Sequence, residues 1–482
     1  LLMNNAGRAV AAHVAQGGWN RVALVCGSGN NGGDGFAAAV YLNAAGIDVT
    51  VHFDPDKSGK LSPESDSFYN ICAMLGLVEP LTNDFSEYDC ITDALFGIGI
   101  TGAVRPPYDG IIQAMNDSPA WIISVDIPSG LPAAGSVPVG ASIVRAQTTV
   151  TMGLRKINTV LYPGAAYCGS IVTINPGFPE KLLQQVPSEA TVSVFDESLF
   201  RGWCDLYTEP TLHKYRAGTV TVIGGFSGYE GALALATRAL VQSGCGMSYA
   251  LTDSGSTLSL RTLPDECVAA SLDDDTREEV IAKRLMRSDV CVIGPGLGRS
   301  GFSGRVFDTV ISAVDECGVR AVLVDGDGLF FLKESGRRFS GAALLVTPHA
   351  GEAAHLLDMT SEAIEQDRLD AARKISARYS AYTLLKGARS VMTGGGQTII
   401  ATAGNPLLAT AGSGDVLCGI AASALCRYAD PLRALAVAVH VHGTAADIYR
   451  ENNPFSFRSG DIIDMIRPAL GAISERTLPW MT

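Results

Sequence analysis

The sequence predicts an α/β protein built from two three-layer αβα domains. The chain has 482 residues, more than one hydrophobic core normally organises. Short β-branched runs alternate with helical segments, which is typical of a parallel sheet covered by helices on both faces. Each half also opens in the same way, with an apolar strand that runs into a glycine-rich turn, at Arg21–Cys26 and again at Gly218–Ile223.

The first half contains six predicted strands separated by helical or turn sequence. Helices are expected over Leu1–Ala15 and, after the first strand, to about Ala45. The strands are expected at Arg21–Cys26, Val49–Phe53, Asp89–Ala94, Trp121–Asp126, Thr148–Met152 and Ser170–Ile174. The run N-P-G-F-P at residues 175–179 then breaks the pattern, because proline and glycine end regular structure. We therefore expect one domain over residues 1–180, a linker region over 181–200 and a second domain over 201–482.

The second half repeats the alternation of strands and helices. After Gly218–Ile223, strands are expected at Asp289–Ile293, Ala321–Val324, Ala343–Val346 and Thr383–Lys386. Two prominent helices are expected, one over Gly231–Ser243 and one that begins in the glycine-rich segment Gly412–Cys426. The alanine-rich helices Gly231–Ser243 and Leu432–Ala446 are expected to pack in the core, and the helix that begins in Gly412–Cys426 is expected to be buried.

Composition and charge exclude several classes of partner. The formal net charge of −13 gives no electrostatic attraction to nucleic acid or to an anionic membrane. No apolar run reaches the roughly 18 residues of a membrane span, and no signal peptide is recognisable. The 11 cysteines include no C-x-x-C pair and are expected to be reduced, buried thiols of a cytoplasmic protein. Because the sequence begins at Leu1 inside a predicted helix, we expect upstream sequence in the natural protein.

The turn G-S-G-N-N-G-G-D-G at residues 27–35 is the sharpest feature of the first half. It follows a strand and precedes a helix, so its backbone N–H groups could face a phosphate or a ring. The G-x-G-x-x-G pattern alone also fits an ordinary dehydrogenase in which Asp54 holds a ribose. However, Asp34 in such a loop would repel a pyrophosphate, whereas asparagine and aspartate oxygens suit a hard cation or sugar hydroxyls.

Two further polar turns follow the carboxyl ends of predicted strands. One runs from Asp93 to Gly102 and the other from Val125 to Gly130. Parallel sheets bind ligands at this edge, so three such turns favour a site. Each aspartate taken singly could equally be a helix cap or a turn former.

Taken together, the motifs N-N-G-G-D-G, D-A-L-F-G-x-G and D-I-P-S-G resemble the NAD(P)H-hydrate epimerase family over about residues 1–180. The resemblance implies a Rossmann-like fold and a potassium ion (K⁺) held by Asn31, Asp93 and Ser129. It implies that the hydrated cofactor contacts Asn30, Asn31, Gly32, Gly33, Asp34, Gly97, Ile98, Gly99, Ile100, Thr101, Gly102, Ala103 and Asp126. We expect Asp126 to be the catalytic acid or base, with Asp34 as the alternative. Lys156 also matches the family, although it could be a solvated lysine.

The turn G-S-G-D-V-L at residues 412–417 is the central feature of the second half. Small residues at a helix N-terminus expose a group of N–H donors that can stabilise a phosphoryl group in transit. Asp415 is placed to take a proton from a hydroxyl that attacks phosphorus. A purely capping aspartate is the alternative.

The turn resembles the ribokinase-like superfamily, and its companions narrow the resemblance to the ADP-dependent NAD(P)H-hydrate dehydratase. The companions are G-P-G-L-G (294–298), V-D-G-D (324–327), T-P-H-A-G-E (347–352), L-K-G-A (385–388), and G-G (224–225) with Y-E-G-A (229–232). The match spans about residues 205–475. It departs from the family at Gly326 and Ala350, where alanine and proline are usual, and at Tyr215-Arg216, where glycine tends to follow His213-Lys214.

The resemblance also implies the roles of residues in the second half. It places the hydrate near Ala232, Gly298, His349 and Asp415. It places ADP, the co-substrate, against Lys386, Gly387, Ala388, Arg389, Ser390, Gly412, Ser413 and Gly414, and it leaves room for Mg²⁺. From the residues alone, Lys386 could be a strand-end charge and His349 a helix cap. His440 and His442 are two apart in a predicted helix and do not share a face, so we expect no metal site there.

The sequence thus predicts a two-activity repair enzyme that acts on hydrated NADH and NADPH with ADP. The first half would interconvert the R and S hydrates, and the second would dehydrate the S form, giving AMP and phosphate. The family's tendency to assemble implies a homo-oligomer. Two alternatives remain open. One is a ribokinase-like kinase of a vitamin precursor with an N-terminal nucleotide-binding regulatory domain, and the other is a non-catalytic nucleotide sensor.

Overall fold

The computed structural model describes residues 1–100, 102–186, 192–201, 203, 210–256, 262–336, 339, 341–453 and 455–477. It divides into two compact units. The first is Leu1–Pro187 with Glu365–Asp367, and the second is Ser188–Ile364 with Arg368–Thr482. Each unit is described by itself below.

The first unit is a parallel sheet with helices on both faces. Its strands are β1 (Arg21–Cys26), β2 (Asp48–His52), β3 (Val78–Glu79), β4 (Cys90–Ala94), β5 (Trp121–Val125), β6 (Thr148–Met152) and β7 (Ser170–Ile174). Its helices are α1 (Leu2–Ala15), α2 (Asn30–Ala44), α3 (Pro63–Met74), α4 (Tyr108–Asp117), α5 (Ile157–Val160) and α6 (Glu180–Gln184). The strand order is β3-β2-β1-β4-β5-β6-β7 and every pairing is parallel. This is the doubly wound order, so the predicted Rossmann-like fold is confirmed.

Strand β1 explains why the first unit has three layers. Val22 and Leu24 pack into one apolar cluster with Phe36 of α2. Ala23 and Val25, which point to the other face, pack into a second cluster that includes residues of α4. Because a strand with two apolar faces must be covered on both, the sheet lies between two helical layers.

The second unit contains a larger, mixed sheet. Its strands are β8 (Ser193–Val194), β9 (Thr219–Ile223), β10 (Met247–Asp253), β11 (Cys267–Leu272), β12 (Val290–Ile293), β13 (Ala321–Val324), β14 (Ala343–Val346), β15 (Tyr382–Leu385), β16 (Val391–Gly394) and β17 (Gln397–Ile400). The order is β11-β10-β9-β12-β13-β14-β15-β16-β17-β8, and only β16 pairs antiparallel with its neighbours. Strand β8 lies within the segment predicted as a linker and pairs with β17 at the edge of this sheet.

The helices of the second unit cover both faces of its sheet. They are α7 (Glu230–Gln242), α8 (Arg277–Leu285), α9 (Gly301–Val314), α10 (Asp327–Ser335), α11 (Ala350–Leu357), α12 (Ser361–Gln366), α13 (Arg368–Tyr379), α14 (Ser413–Arg427), α15 (Pro431–Asn452) and α16 (Ser459–Thr477). Helices α14 and α15 lie at the centre of the main core, where nearly all their apolar residues are buried. Within the described residues, no helix has the length and apolar character needed to cross a bilayer.

Candidate active sites

The first candidate site begins at the N-terminus of α2. No side chain caps this helix, and Gly29, its N-cap residue, has open space where a Cβ would stand. Gly32 and Gly33 have a different role, because a Cβ there would lie 1.8 Å from the Gly27 carbonyl oxygen and 2.3 Å from the Ser65 hydroxyl. The absence of a side chain at Gly32 and Gly33 therefore allows α2 to pack closely against Gly27 and Ser65. Only the backbone groups of these two glycines could contact a ligand.

Asp93, Ser129 and Asn31 meet beside the Phe96 backbone. Asp93, at the end of β4, is fully buried and accepts hydrogen bonds from the Ser129 hydroxyl at 2.5 Å and the Ser129 N–H at 2.9 Å. The Phe96 N–H donates to Ser129 Oγ at 2.8 Å, and Asn31 Nδ2 donates to the Phe96 carbonyl at 3.0 Å. Burial raises the pKa of Asp93, although its hydrogen bonds act in the opposite direction. The structure thus brings together the three residues that the sequence predicted for K⁺.

Asp126 directly follows β5 in a strained backbone conformation, with φ of 67°. Its Oδ1 accepts from the Met152 N–H at 3.0 Å and from the Lys156 ammonium, and both side chains of this ion pair are 14% exposed. Lys156 also donates to Thr151 Oγ1 at 3.2 Å. Lys156 is therefore a largely buried partner of Asp126 rather than a solvated lysine.

Asp34, in the first turns of α2, lies within the electrostatic reach of Asp126. Burial, followed by the negative charge of Asp126, raises the pKa of Asp34 to about 7. A carboxyl group that titrates near neutral pH can both accept and release a proton, which is the property needed in acid–base catalysis. The two carboxylates that the sequence offered as alternatives therefore act on each other electrostatically.

The loop after β4 forms the exposed part of the first site. Gly97 lies against Asn31, whose Cβ is 3.3 Å from the position of an added Cβ. Ile98 is 60% exposed, Gly99, Gly102 and Ala103 are exposed, and Ile100 is half-buried. Thr101 lies outside the described residues.

The second candidate site is organised by a buried lysine. Lys386 follows β15, and its ammonium lies 2.7 Å from Asp325 Oδ1 and 3.7 Å from Glu352 Oε2. Burial alone would raise the pKa of Asp325, but Lys386 and hydrogen bonds from Thr347 and Cys418 outweigh it and hold the pKa below its ordinary value. Lys386 is therefore part of a buried ionic cluster and not an isolated strand-end charge.

The N-terminus of α14 lies against this ionic cluster. Gly412, its N-cap residue, has a left-handed backbone with φ of 85°, and no side chain caps the helix. The Lys386 ammonium lies 3.3 Å from the position that a Cβ on Gly414 would take. The first-turn N–H groups therefore lie beside a lysine, which is a favourable setting for an anion.

Asp415 is half-buried in the first turn of α14. Burial raises the pKa of Asp415 to about 7; the charge of Asp325 adds to the rise and that of Lys386 opposes it. No hydrogen bond to its carboxylate is found within the described residues, which leaves its oxygens available to a substrate. Asp415 therefore does not cap α14 in the described structure, and its raised pKa is the property needed in a general base.

His349 caps α11, as the sequence allowed. Its ring nitrogen Nδ1 accepts from the Gly351 backbone N–H at 3.0 Å. The Glu352 carboxylate accepts from the backbone N–H of His349 at 2.8 Å. The side chain is nevertheless 61% exposed, so capping does not exclude a contact between its ring and a ligand. Gly298 and Ala232 both border Tyr229, and the Gly298 N–H donates to Asp327 at 3.0 Å.

The residues predicted to bind ADP form two neighbouring groups around Lys386 and α14. Gly387 and Ala388 are exposed, and Arg389 has φ of 59° and donates to the Thr402 carbonyl at 3.0 Å. Ser390 Oγ donates to the Gly387 carbonyl at 3.2 Å. Ser413 is buried 3.3 Å from His442 Nε2, and burial lowers the pKa of His442 to about 4.

Comparison with known proteins identifies the family. The family model described as NAD(P)H-hydrate dehydratase matches residues 220–468, just over half of the chain. A second model, described as YjeF-related protein N-terminus, matches residues 1–157. The bifunctional NAD(P)H-hydrate repair enzyme of Thermofilum pendens is 33% identical, over 98% of this chain and 92% of its own length. The chain belongs to this family of bifunctional NAD(P)H-hydrate repair enzymes.

A second relative agrees with this assignment, and solved structures show the fold of the second half. The repair enzyme of Moorella thermoacetica is 33% identical over 98% of this chain and 93% of its own length. A ribokinase-like superfamily protein from Enterococcus faecalis is 22% identical, covering 59% of this chain and 96% of its own, with a TM-score of 0.51. An ADP/ATP-dependent NAD(P)H-hydrate dehydratase from Bacillus subtilis, co-crystallised with ATP and Mg²⁺, is 21% identical over 59% of this chain and 99% of its own, with a TM-score of 0.50. The predicted ribokinase-like fold of the second half is thereby confirmed.

Several residues of this repair-enzyme chain contribute to the sites without having been predicted to do so. Asp325 and Glu352 stood inside recognised motifs, but the sequence did not indicate that both contact Lys386. Cys418, which lies in the second turn of α14, donates its S–H to Asp325 Oδ2 at 3.1 Å. Nothing in the sequence indicates this contact, because it depends on how α14 packs against β13.

Proposed function

We propose that this chain repairs hydrated NADH and NADPH in two steps, epimerisation in its first unit and ADP-dependent dehydration in its second. The observation that carries the proposal is Asp415, a carboxyl with a pKa of about 7 beside the N–H groups that open α14. A phosphoryl transfer to a hydroxyl needs both features, a base and a set of donors for the moving phosphoryl group. We assign the two activities to residues 1–180 and 201–482; the segment 181–200 between them contributes strand β8 to the sheet of the second unit.

The epimerisation step requires little more than proton transfer. The hydroxyl-bearing carbon of the hydrate is bonded to the ring nitrogen, so it inverts when a bond to it opens and closes again. Asp126, paired with Lys156, and Asp34, with its pKa of about 7, are the groups that would exchange the proton. We propose Asp126 as the principal acid–base residue because Lys156 and the Met152 N–H hold its carboxylate in place. The N-terminus of α2 and the loop 97–103 would hold the hydrate.

We propose that K⁺ binds at Asn31, Asp93 and Ser129. The residues fit this ion. Asp93 is fully buried, and its hydrogen-bond donors are neutral groups of Ser124, Ser129 and Leu95, so no cation pairs with it within the described part of the chain. A single carboxylate with amide and hydroxyl oxygens suits a hard monovalent cation. When bound, K⁺ supplies positive charge that helps to orient the hydrate.

In the dehydration step, the hydrate hydroxyl attacks the β-phosphorus of ADP, the bond to AMP breaks, and Asp415 accepts the hydroxyl proton. Phosphate then leaves the ring carbon with its bonding electron pair, a neighbouring carbon loses a proton, and the double bond of the dihydronicotinamide is restored. Phosphorylation is needed because hydroxide is a poor leaving group. The turn 412–414 and residues 386–390 would hold ADP, to which Mg²⁺ would supply positive charge, and Ala232, Gly298 and His349 would border the hydrate.

A single absorbance experiment tests both activities. Chemically hydrated NADH, a mixture of R and S forms, is incubated with the protein and ADP, and the reduced-nicotinamide absorbance band is followed. We expect full recovery with the natural chain, but rapid recovery of only the S fraction with Asp126→Asn. Failure to recover the band, together with phosphorylation of a vitamin precursor, would instead indicate the kinase alternative.

We further propose that the enzyme works in the cytoplasm as a homo-oligomer. The ten described cysteines are free thiols, which agrees with a reducing compartment. Helix α3 ends in exposed apolar side chains, with Met74 84% and Leu75 50% exposed, and such a patch is a candidate contact between copies. Light scattering after size-exclusion chromatography measures the mass of the assembly directly.

A further inference from the structure

Arg299 follows Gly298 and presents an exposed but fixed guanidinium group. Its side chain is 60% exposed. Its Nε donates to Asp327 Oδ1 at 2.8 Å, and its guanidinium carbon lies 4.9 Å from the centre of the Phe330 ring. The guanidinium is thus held by an ion pair and by an aromatic face.

The same contacts tie Arg299 to the turn that borders the proposed hydrate site. Asp327 uses its other oxygen, Oδ2, to accept the Gly298 N–H at 3.0 Å, so one carboxylate holds both the turn and the guanidinium. Phe330 is in turn stacked on His355, with ring centres 5.4 Å apart and an angle of 13° between the planes. Fixing a long exposed side chain costs conformational entropy, and a surface ion pair returns little. A ligand that uses the fixed guanidinium would explain the arrangement.

The charge distribution around the second site indicates that Arg299 is the group that binds such a ligand. Asp325, Glu352 and Asp415 place three carboxyl groups at this site, and its lysine, Lys386, is already paired with two of them. No partner is found for the terminal Nη groups of Arg299 within the described residues. Tyr229, the N-cap residue of α7, is 57% exposed and lies against the Gly298 turn, with a ring carbon 3.6 Å from the position of a Cβ on Gly298.

We propose that Arg299 binds a phosphate group of the hydrated dinucleotide and contributes to its recognition; this rests on the proposed dehydratase function. A guanidinium offers parallel N–H donors that match two phosphate oxygens, and with Nε engaged by Asp327 the two Nη groups remain to supply them. The phosphate is either the pyrophosphate, which both hydrates carry, or the 2′-phosphate, which only hydrated NADPH carries. Tyr229 would cover an adjacent ring or sugar.

Arg305 provides a matched control on the neighbouring helix α9. It is 49% exposed, pairs with Asp274 at 2.9 Å, and its guanidinium carbon lies 5.8 Å from the Phe302 ring centre. It therefore shares the local contacts of Arg299 but is not on the Gly298 turn. The variants to compare are Arg299→Gln, Arg299→Lys and Arg305→Gln.

The experiment measures the binding of hydrated NADPH and hydrated NADH by calorimetry without ADP, fitted to two sites because the first unit is also proposed to bind the hydrate, and then kcat and KM of dehydration with ADP. We expect Arg299→Gln to raise Kd and KM about tenfold or more while kcat changes less than about twofold, because a charged hydrogen bond to bound substrate is lost. Arg299→Lys should give Kd and KM values between those of the natural chain and those of Arg299→Gln. Arg305→Gln should give the values of the natural chain.

The two substrates distinguish the source of the phosphate. A loss of affinity for hydrated NADPH alone would show that Arg299 binds the 2′-phosphate. An equal loss of affinity for both hydrates would show that it binds the pyrophosphate. If Arg299→Gln and Arg305→Gln have the same Kd at both fitted sites and the same KM of dehydration for both hydrates, the proposal is wrong. If the natural chain binds the hydrates but does not convert them, the proposed function fails while the test of Arg299 still stands.

Discussion

The two candidate sites use the same kinds of residue in different arrangements. Each contains an aspartate whose pKa is raised to about 7 by burial and by a second carboxylate, Asp34 in the first unit and Asp415 in the second. Each also contains one largely buried lysine that pairs with a carboxylate, Lys156 with Asp126 and Lys386 with Asp325. Both sites lie at the carboxyl ends of parallel strands.

The two sites differ in which carboxylate pairs with the lysine. In the first unit, Lys156 pairs with the proposed acid–base residue itself. In the second, Lys386 pairs with Asp325, and Asp415 remains without a hydrogen-bond partner in the described structure. An unassisted alcohol is a weak nucleophile and benefits from a free base of raised pKa, whereas a carbinolamine centre opens readily and needs chiefly a well-positioned carboxylate.

The largest expected effect is that of Asp415→Asn. We expect the dehydration rate to fall about 10³-fold, because general-base catalysis contributes roughly 10²–10⁴. Epimerisation should be unchanged. The measurements are absorbance recovery from the S hydrate and, separately, exchange of R and S forms by chromatography. Full dehydration activity in the variant would remove Asp415 from the mechanism.

Asp126→Asn is the reciprocal change. We expect epimerisation to fall about 10²-fold, because the carboxylate paired with Lys156 is replaced by an amide, while dehydration of purified S hydrate stays at the natural rate. Chromatographic exchange of R into S measures this. Asp34→Asn serves as the comparison, and a larger loss there than in Asp126→Asn would reverse the proposed roles.

Lys386→Met tests whether the second site depends on its buried ion pair for stability. The variant leaves Asp325, whose side chain is 4% exposed, without its cation, and we expect a loss of about 3–5 kcal/mol in unfolding free energy. Because Lys386 keeps the pKa of Asp325 below its unfolded value, this stabilisation is present above that value and is lost as the pH falls. Urea denaturation at several pH values measures both the loss of unfolding free energy and its dependence on pH.

Lys374→Met is the control for this stability measurement. Lys374 pairs with Asp370 at 2.6 Å, but its side chain is 53% exposed, so the change should cost less than about 1 kcal/mol. Equal losses in the two variants would contradict the role given to the buried cluster.

The pH dependence of dehydration should follow Asp415. A base must be unprotonated, so kcat/KM should fall about tenfold for each unit below pH 7 and level off above it. Glu352→Gln should move this limb to lower pH, because the charge of Glu352 helps to raise the pKa of Asp415. The exposed Glu316→Gln should leave the profile in place. If Glu352→Gln left the profile unchanged, burial and the charges of Asp325 and Lys386 would account for this pKa without Glu352.

The smallest effect separates the two roles of His349. His349→Ala removes the cap of α11 and should cost about 1 kcal/mol of stability, whereas His349→Asn retains a capping side chain. If the ring also touches the hydrate, both variants should raise KM a few-fold. Denaturation curves and KM values measured together decide this, and an unchanged KM in both would leave His349 as a cap only.

Much of the fold followed from local sequence. The predicted strands from Arg21–Cys26 to Thr383–Lys386 match the observed ones within a residue or two, because β-branched runs bounded by glycine and proline define buried parallel strands. Strands β3, β8, β10 and β11 and the β16–β17 hairpin were not predicted. Their residues are less distinctive, and pairing with neighbours far along the chain decides their conformation.

The sequence by itself determined the two αβα folds and the turns that meet at each sheet edge, since strand direction sends successive carboxyl ends to one side. Only the tertiary structure decided which charges pair. It placed Lys156 on Asp126, Lys386 on Asp325 and Glu352, and Gly32 and Gly33 against the protein rather than a ligand. It also brought Asp34 and Asp415 to a pKa of about 7, because burial and neighbouring charge depend on packing between residues distant in sequence.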